Sequence, residues 1–512
     1  MTDHVSLRSG VYADSVSLLQ VSKQVAATPG VRDAQVAMAT PLNLETLAVM
    51  GFDVPADASP NDMVVALRLD AASVETVSLE GALAAVDAAL AAASAPRAAG
   101  DTAVAPPRTT ATSLRDAPEE TIVMVSVPGP SAFVEAMDAV EAGHDVMVFS
   151  DNVPLDQEVA LKQAAATRDV LVMGPDCGTA VVGGVGLGFA NVVRPGPVGV
   201  VAASGTGTQQ ILALLDQAGV GVSAALGVGG RDLSAAVGGR STRTALARLD
   251  ADPATTHVVL VSKPPAAEVA DAISAYAESL SVPVELVLLS ADTDLTGGTE
   301  ALLATLDVPT PTWRRWGVPD AVHGPGRLRG LFVGGTLCDE AMLVATQELG
   351  PIRSNIPLTG DDALDAASVL AGDLGDEHVM IDFGDDALTV GRAHPMIDPT
   401  LRLAALAHTA ADADTAVVLL DVVLGHGAEP DPAASLAPAI ADARATAAAE
   451  HGRTLPVVVT LVGTRSDPQD LERQAAALAE AGAYVFSSNA EATRHAVALV
   501  APVPATTAGE AR

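Results

Sequence analysis

The sequence predicts an α/β protein: several Rossmann- or flavodoxin-like parallel-sheet domains behind a small amino-terminal α/β domain. Three observations carry this expectation. From Glu120 onward short apolar runs alternate with longer helical patterns, the order that builds βαβ units. Most of these runs end in a turn segment, among them Val127-Pro-Gly-Pro130, Ser150-Asp-Asn-Val-Pro154 and Gly174-Pro-Asp-Cys-Gly-Thr179. In open parallel sheets such carboxyl ends are where ligands sit. Aromatic residues make up 2% of a chain that is 49% hydrophobic, so its cores are built from Ala, Val and Leu, which suits helices packed closely on sheets.

The first 95 residues alternate strand and helix: His4 to Arg8 extended, Asp14 to Ala27 an amphipathic helix, Val31 to Ala39 a strand after Pro29-Gly30. A helix near Leu42 to Met50, the strand Met63 to Arg68 and the Ala-rich helix Leu79 to Ala93 complete a ferredoxin-like unit. Residues 96–119, rich in Pro and Ala, read as a linker. Residues 120–195 form the next unit, with strands at Thr121 to Val127, Asp145 to Phe149 and Leu171 to Met173. Residues 196–305 form another, with strands beginning at Val198, Val222, Thr256 and Val284. A second linker spans 306–328, and the last unit, 329–503, opens with Arg329 to Val333 followed by Gly334-Gly-Thr336 and a helix.

Composition excludes several functions. A net charge of −35 removes the basic footprint that nucleic acid or an anionic membrane requires. No apolar run approaches the ~18 residues that span a bilayer, and Met1-Thr-Asp-His4 lacks a leader pattern, so a cytoplasmic location is expected. Two cysteines, Cys177 and Cys338, support neither a disulfide framework nor a zinc cluster, and no metal site is expected. The only lysines are Lys23, Lys162 and Lys263.

Val198 to Leu215 is the stretch around which the chain is organised. A buried strand breaks at Ser204-Gly205-Thr206-Gly207 and passes directly into an apolar-periodic helix, which aims unpaired N–H groups and the positive end of its dipole at one spot. That is an anion site; a plain N-cap role for Ser204 or Thr206 is the structural alternative.

The motifs Ser150 to Pro154, Gly174 to Gly178, Ala203-Ser-Gly-Thr-Gly207, Gly227-Val-Gly-Gly-Arg-Asp232, Gly384-Asp-Asp386 and Gly391 to Arg402 together resemble the FdrA family over nearly the whole chain. FdrA proteins are in turn similar to NDP-forming acyl-CoA synthetases such as succinyl-CoA synthetase. Residues 120 to about 305 resemble the ligase α subunit and 325 to 500 the carboxyl-terminal domain of its β subunit. The resemblance implies two helix N-termini facing one phosphate: the α-type end at Ser204, Gly205 and Thr206, and the β-type end expected at Gly425 and Gly427. It also implies an acyl or CoA side of the pocket, lined by Asn152, Pro175 and Cys177.

The departures matter as much. The segment expected to carry the ligase's phosphorylated histidine reads Leu288 to Gly298 without histidine, and Lys263 stands where the ligase places a glutamate. His426 reads as a structural loop histidine. No stretch between the α-like and β-like halves is long enough for an ATP-grasp domain, on the order of 100 to 200 residues. The linker occupies the place of the first strand and glycine-rich loop that grip CoA, which weighs against CoA.

Lys263, Arg392 and His394 are the candidate catalytic residues; Arg392, His394 and Arg402 place three anion contacts in one loop, with Asp385, Asp386 and Asp398 as alternative partners for them. Cys177 has no cation near it in sequence and is expected to line the pocket rather than attack. By resemblance the chain is an enzyme subunit for phosphate-linked acyl or carbamoyl transfer, the oxamate carbamoyltransferase component of allantoin breakdown. Phosphate or carbamoyl phosphate is then a substrate, no cofactor is covalently bound, and the partners are other transferase subunits or further copies of the chain. A succinyl-CoA ligase-like enzyme and a non-catalytic scaffold subunit are the alternatives.

Overall fold

The structure is a computed structural model that describes residues 2–9, 15–55, 58–59, 62–69, 79–94, 107–320, 324–389 and 392–500. Parts of both expected linkers (residues 96–106 and 321–323), Gly391 of the last motif, and residues 501–503 of the final expected domain lie outside them. The chain divides into two compact units, one essentially residues 1–106, the other residues 107–390 with 394–512.

In the first unit three antiparallel strands form one sheet, with Asp62–Leu69 between Thr2–Ser9 and Val31–Met38. Alternation along the central strand sorts its side chains. Met63, Val65 and Leu67 meet the helices Ser15–Ala26 and Leu79–Ser94, while Val64 and Ala66 meet Leu47 and Phe52. Both faces are covered, which is why the strand reads as a continuous apolar run rather than an alternating one.

The second unit holds three sheets. Ile122–Val125, Asp145–Val148 and Val172–Met173 make a short parallel sheet. The next has the order Val284–Leu288, His257–Ser262, Pro195–Ala203, Val222–Gly227, then the hairpin Thr179–Val182 and Val185–Gly188. The hairpin falls before residue 196 in sequence yet extends this sheet through antiparallel pairing with Val222–Gly227. The third sheet runs Arg315–Trp316, Ala483–Phe486, Val457–Val462, Thr415–Val423, Arg327–Phe332, Val379–Asp382. Counted in chain order, the parallel strands of these two larger sheets follow the flavodoxin-like orders 2-1-3-4 and 2-1-3-4-5.

Two segments expected to be linkers are structured. Thr110–Leu114 is a short helix opened by a capping box at Thr109. Trp313 is buried, its indole N–H donating to Glu300, and Arg315–Trp316 covers the edge strand Ala483–Phe486.

The helix Gly205–Gln217 lies between the two larger sheets. Every residue from Gly207 to Asp216 is buried, and its apolar side chains share one core with Val200, Phe332, Leu337, Val458 and Phe486. A helix buried all round must also satisfy its polar groups. Gln209 donates to the Leu424 carbonyl; Gln210 donates to the Ser487 carbonyl and accepts the Asn489 N–H. Those bonds fix the second sheet against the third.

Candidate functional site

In each flavodoxin-like sheet the crevice forms where the strand order reverses. In the second sheet that place lies between the carboxyl ends of Pro195–Ala203 and His257–Ser262, so Ser204 and Lys263 flank it. In the third it lies between Arg327–Phe332 and Thr415–Val423, where Gly334 and Asp421 stand. The fold joins the two crevices. The Ser204 hydroxyl accepts the Gly207 N–H at 2.8 Å as an N-cap and donates to the Thr336 hydroxyl at 2.7 Å.

The helix end facing Ser204 is thus that of Gly335–Leu349, not the segment at Gly425 and Gly427. The helix that follows Gly425 starts only at Pro432. Before it, the Gly425 N–H donates to Gln469, whose amide donates back to the Gly425 carbonyl, and His426 and Ala190 exchange backbone hydrogen bonds. This segment is a strap docked on residues 188–191, so its glycines present no free helix end. The missed signal was the repeated grammar of strand, then Gly and Thr, then helix, which Gly334-Gly335-Thr336 shares with Ser204-Gly205-Thr206.

Glycines allow the close approach. A Cβ on Gly334 would lie 2.9 Å from the Thr206 hydroxyl, and one on Gly335 would lie 2.6 Å from Asp382 Oδ2 and 3.3 Å from Lys263 Nζ. Beneath them Asp421, fully buried, accepts the N–H groups of Val333 and Gly334, and Arg402 donates to both its carbonyl and its carboxylate. Arg402 therefore supports the turn that aims the Gly335 helix and is not an anion contact. The N–H groups of Gly205 and Thr206, and of Gly335, Thr336 and Leu337, belong to first turns, where no intrahelical acceptor exists.

Lys263 Nζ pairs with Asp339 Oδ2 at 3.2 Å, and its side chain keeps 38% of its surface accessible. The crowding of protein around it disfavours the charge, but the carboxylates of Asp339, Asp382 and Asp176 outweigh that and hold the ammonium above its ordinary value. Asp382, 5% exposed, is pushed up to about 7 by burial, against the pull of Lys263 and the Gly384 N–H. Burial also raises Asp339. Asp176 is open to solvent by surface area; the protein mass around it and the neighbouring Asp386 push its carboxyl up to about 7, an effect that water at its surface screens. Asp339 and Asp382 carry no sequence motif of their own. Only folding sets them beside Lys263.

The other expected residues distribute unevenly. His394 packs on the Phe189 ring, accepts the Met396 N–H through Nδ1 and holds Nε2 against Gly384. Burial drops its pKa to about 4, so it is neutral at physiological pH. Arg392 is exposed and falls outside the second unit, and Asp398 turns to cap Thr400. The three anion contacts expected of that loop do not converge, because the helix Thr400–Ala411 carries Arg402 into the core. Cys177 is buried, its thiol donating to the Thr179 carbonyl and pushed up to about 12 by burial. It sits with Pro175 in the turn after Val172–Met173, whose backbone packs under Gly229. Asn152 adopts a left-handed backbone, φ 53°, in the loop after the neighbouring strand. A surface depression of about 610 Å³ lined by Arg314, Arg465, Asp470, Leu471 and Glu472 shares no residue with this cluster.

YahF of Escherichia coli strain K12 is 35% identical over 518 aligned residues, covering 96% of this chain and 97% of YahF. The chain belongs to the FdrA family. As an FdrA-family member it is acyl-CoA synthetase-like: residues 331–499 match the CoA-ligase family, and residues 1–106 match a domain described as AllF, heavy metal-associated. The FdrA chain has no cysteine in residues 1–106, and among the described residues no cluster suits a metal ion. The α subunit of succinate–CoA ligase from Methanothermobacter thermautotrophicus is 28% identical over 164 residues, 31% of this chain and 54% of that subunit. The mitochondrial α-2 subunit from Trichomonas vaginalis is 28% identical over 27% of this chain and 46% of its own length. The chain thus spans about half the length of the ligase subunits it matches. The dinucleotide-forming acetyl-CoA synthetase 1 of Ca. Korarchaeum cryptofilum aligns over 75% of this chain and 84% of its own at 15% identity, with a TM-score of 0.29. Among the described residues no helix is long and apolar enough to cross a membrane.

Proposed function

We propose that this chain is an enzyme subunit that transfers an acyl-like group, a carbamoyl group by its FdrA resemblance, with phosphate entering or leaving between the Gly205 and Gly335 helix ends. The observation that carries this reading is the Ser204–Thr336 contact, which brings two separate helix N-termini together beside Lys263, an arrangement suited to an anion. Phosphate attack on a carbamoyl carbon needs stabilised charge more than a protein nucleophile. The available groups match: free N–H donors and an ammonium, a buried thiol that is not ionised, and a neutral His394. Oxamate and carbamoyl phosphate, interconverted with oxalurate and phosphate in allantoin breakdown, are the proposed reactants. Asn152, Pro175 and Cys177 are proposed for the acyl side, and other transferase subunits as partners.

The reading is tested by thermal shift with phosphate and carbamoyl phosphate, followed by assay of carbamoyl phosphate formation from oxalurate with and without partner subunits. Both anions should raise the melting temperature, and Lys263→Glu should remove the rise. Absence of any shift or turnover, even with partners, defeats the proposal. The CoA-ligase match of residues 331–499 favours a second reading, an NDP-forming acyl-CoA ligase. That reading requires nucleotide-dependent thioester formation, which the same preparations can be assayed for.

A further inference from the structure

The two oxygens of Asp382 have different fates. Oδ1 accepts the Gly384 N–H at 2.8 Å, and Asn355 clamps the residue's own backbone through its N–H and carbonyl. Oδ2 has no hydrogen-bond donor among the described residues, and it points at the first residue of the Gly335 helix, 2.6 Å from where a Cβ there would lie. A carboxylate oxygen of a buried residue, with no donor of its own among the described residues and aimed at a helix start that is itself suited to an anion, sets up a conflict: an anion bound there would face the negative charge of Asp382 at short range.

We propose that Asp382 is the proton-carrying group of this site, so that an anion held between the Gly205 and Gly335 helix ends is bound together with one proton on Asp382 Oδ2. This deepens the reading above and rests on it. The proton comes from solvent on binding and returns there on release, and with the proton in place Oδ2 becomes a donor to the anion instead of a repelling charge. The surrounding groups leave it as the carrier: Asp421, beside Gly334, already accepts the Val333 and Gly334 N–H groups and pairs with Arg402, and Asp176 is open to solvent. Lys263 is held charged by its carboxylate neighbours, and Asp339 is already committed to Lys263 at 3.2 Å. His394, whose Nε2 lies by Gly384, is neutral with a pKa of about 4 and stays so. The Cys338 thiol is raised far from titration, and Asp385 shares the Asp382 loop, where its charge adds to the preference for a protonated Asp382. A carboxyl near 7 in the free protein lies where one further negative charge completes its protonation.

The test is calorimetric titration of the full chain with inorganic phosphate and with sulfate, at pH 8 and pH 5.5, in buffers of different ionisation enthalpy. Sulfate has no proton to exchange in this range and isolates the protein's contribution. The expected result is uptake approaching one proton per anion at pH 8 and none at pH 5.5 with sulfate. In Asp382→Asn, an isosteric change whose fold is checked by its unfolding transition, the uptake should vanish while binding at pH 8 is kept or strengthened. Anion binding by the wild type without proton uptake overturns the inference, as does uptake that survives in Asp382→Asn or disappears only in Asp339→Asn. If neither anion binds the wild type, the helix-end reading fails and the inference falls with it.

Discussion

The hydroxyls of Ser204 and Thr336, 132 positions apart in sequence, lie 2.7 Å from each other, and each sits at the start of a helix that belongs to a different sheet. Ser204 thereby does two things with one oxygen: it caps its own helix through Gly207 and ties that helix to the other. Ser204→Ala should cost about 1 kcal/mol as a lost cap. A double-mutant cycle with Thr336→Val should give a coupling of about 0.5–1.5 kcal/mol. Both tryptophans, Trp313 and Trp316, lie in the second unit, so fluorescence-monitored urea unfolding reports on it directly. Strict additivity of the two substitutions would contradict the contact.

Gly335→Ala is expected to abolish anion-induced thermal stabilisation while leaving most of the chain folded. The added methyl would lie 2.6 Å from Asp382 Oδ2 and 3.3 Å from Lys263 Nζ, and Asp382 is held by Asn355 and Gly384 and cannot swing away freely. Gly360→Ala, where a Cβ meets nothing within 4 Å, is the matched control and should retain the stabilisation.

Asp382 also makes a stability prediction with a definite sign. Its folded-state pKa, about 7, lies above its ordinary value of 3.8, so the native state binds the proton more tightly than the unfolded chain does. Stability contributed by this group is intact below about pH 4 and is lost as pH rises through 7. Asp382→Asn should therefore match the wild type near pH 4 and exceed it at pH 8, by on the order of a few kcal/mol. Denaturant midpoints across that range decide it. A variant that matches the wild type near pH 4 and falls below it at pH 8 would mean that Asp382 is stabilised as a carboxylate.

Lys162 is predicted to be structural. Its ammonium lies 2.9 Å from Glu158, 2.8 Å from Asp232 and 2.9 Å from the Val228 carbonyl, and all three side chains are buried. Lys162→Met leaves buried Asp232 without its cation and Glu158 with only the half-exposed Arg231, 2.9 Å away, and should destabilise the second unit by about 3–5 kcal/mol. Turnover of the protein that remains folded should be unchanged, because the fully buried ammonium is spent on Glu158, Asp232 and the Val228 carbonyl.

Incubation with radiolabelled ATP and magnesium should leave no acid-labile phosphohistidine. Leu288 to Gly298 contains no histidine. His394, whose Nε2 lies by Gly384, is packed on Phe189 with Nδ1 occupied by the Met396 N–H. Stoichiometric label on any histidine would instead support the nucleotide-dependent ligase reading.

The sequence by itself determined the class of fold, most of the strands and the first helix end. Parallel strands buried on both faces leave continuous apolar runs, and a strand that passes straight into a helix through Ser204-Gly205-Thr206 leaves a local record of its chemistry. Lys263 was legible for a related reason, as a rare lysine at the end of such a run. Which helix end faces Ser204 was not legible, because Gly425-His426-Gly427 and Gly334-Gly335-Thr336 both follow apolar strands and both carry glycine. Only the tertiary structure decided between them: the strap at Gly425 spends its backbone on Gln469 and Ala190, while the Gly335 helix is aimed at Ser204 by the buried Arg402–Asp421 pair. The surroundings of Lys263 were likewise decided in three dimensions. Asp339 lies one turn inside a helix and Asp382 at the end of a strand; each is ordinary in its local pattern. Their pKa values follow from burial beside one ammonium, a property of where distant segments meet and not of any segment alone.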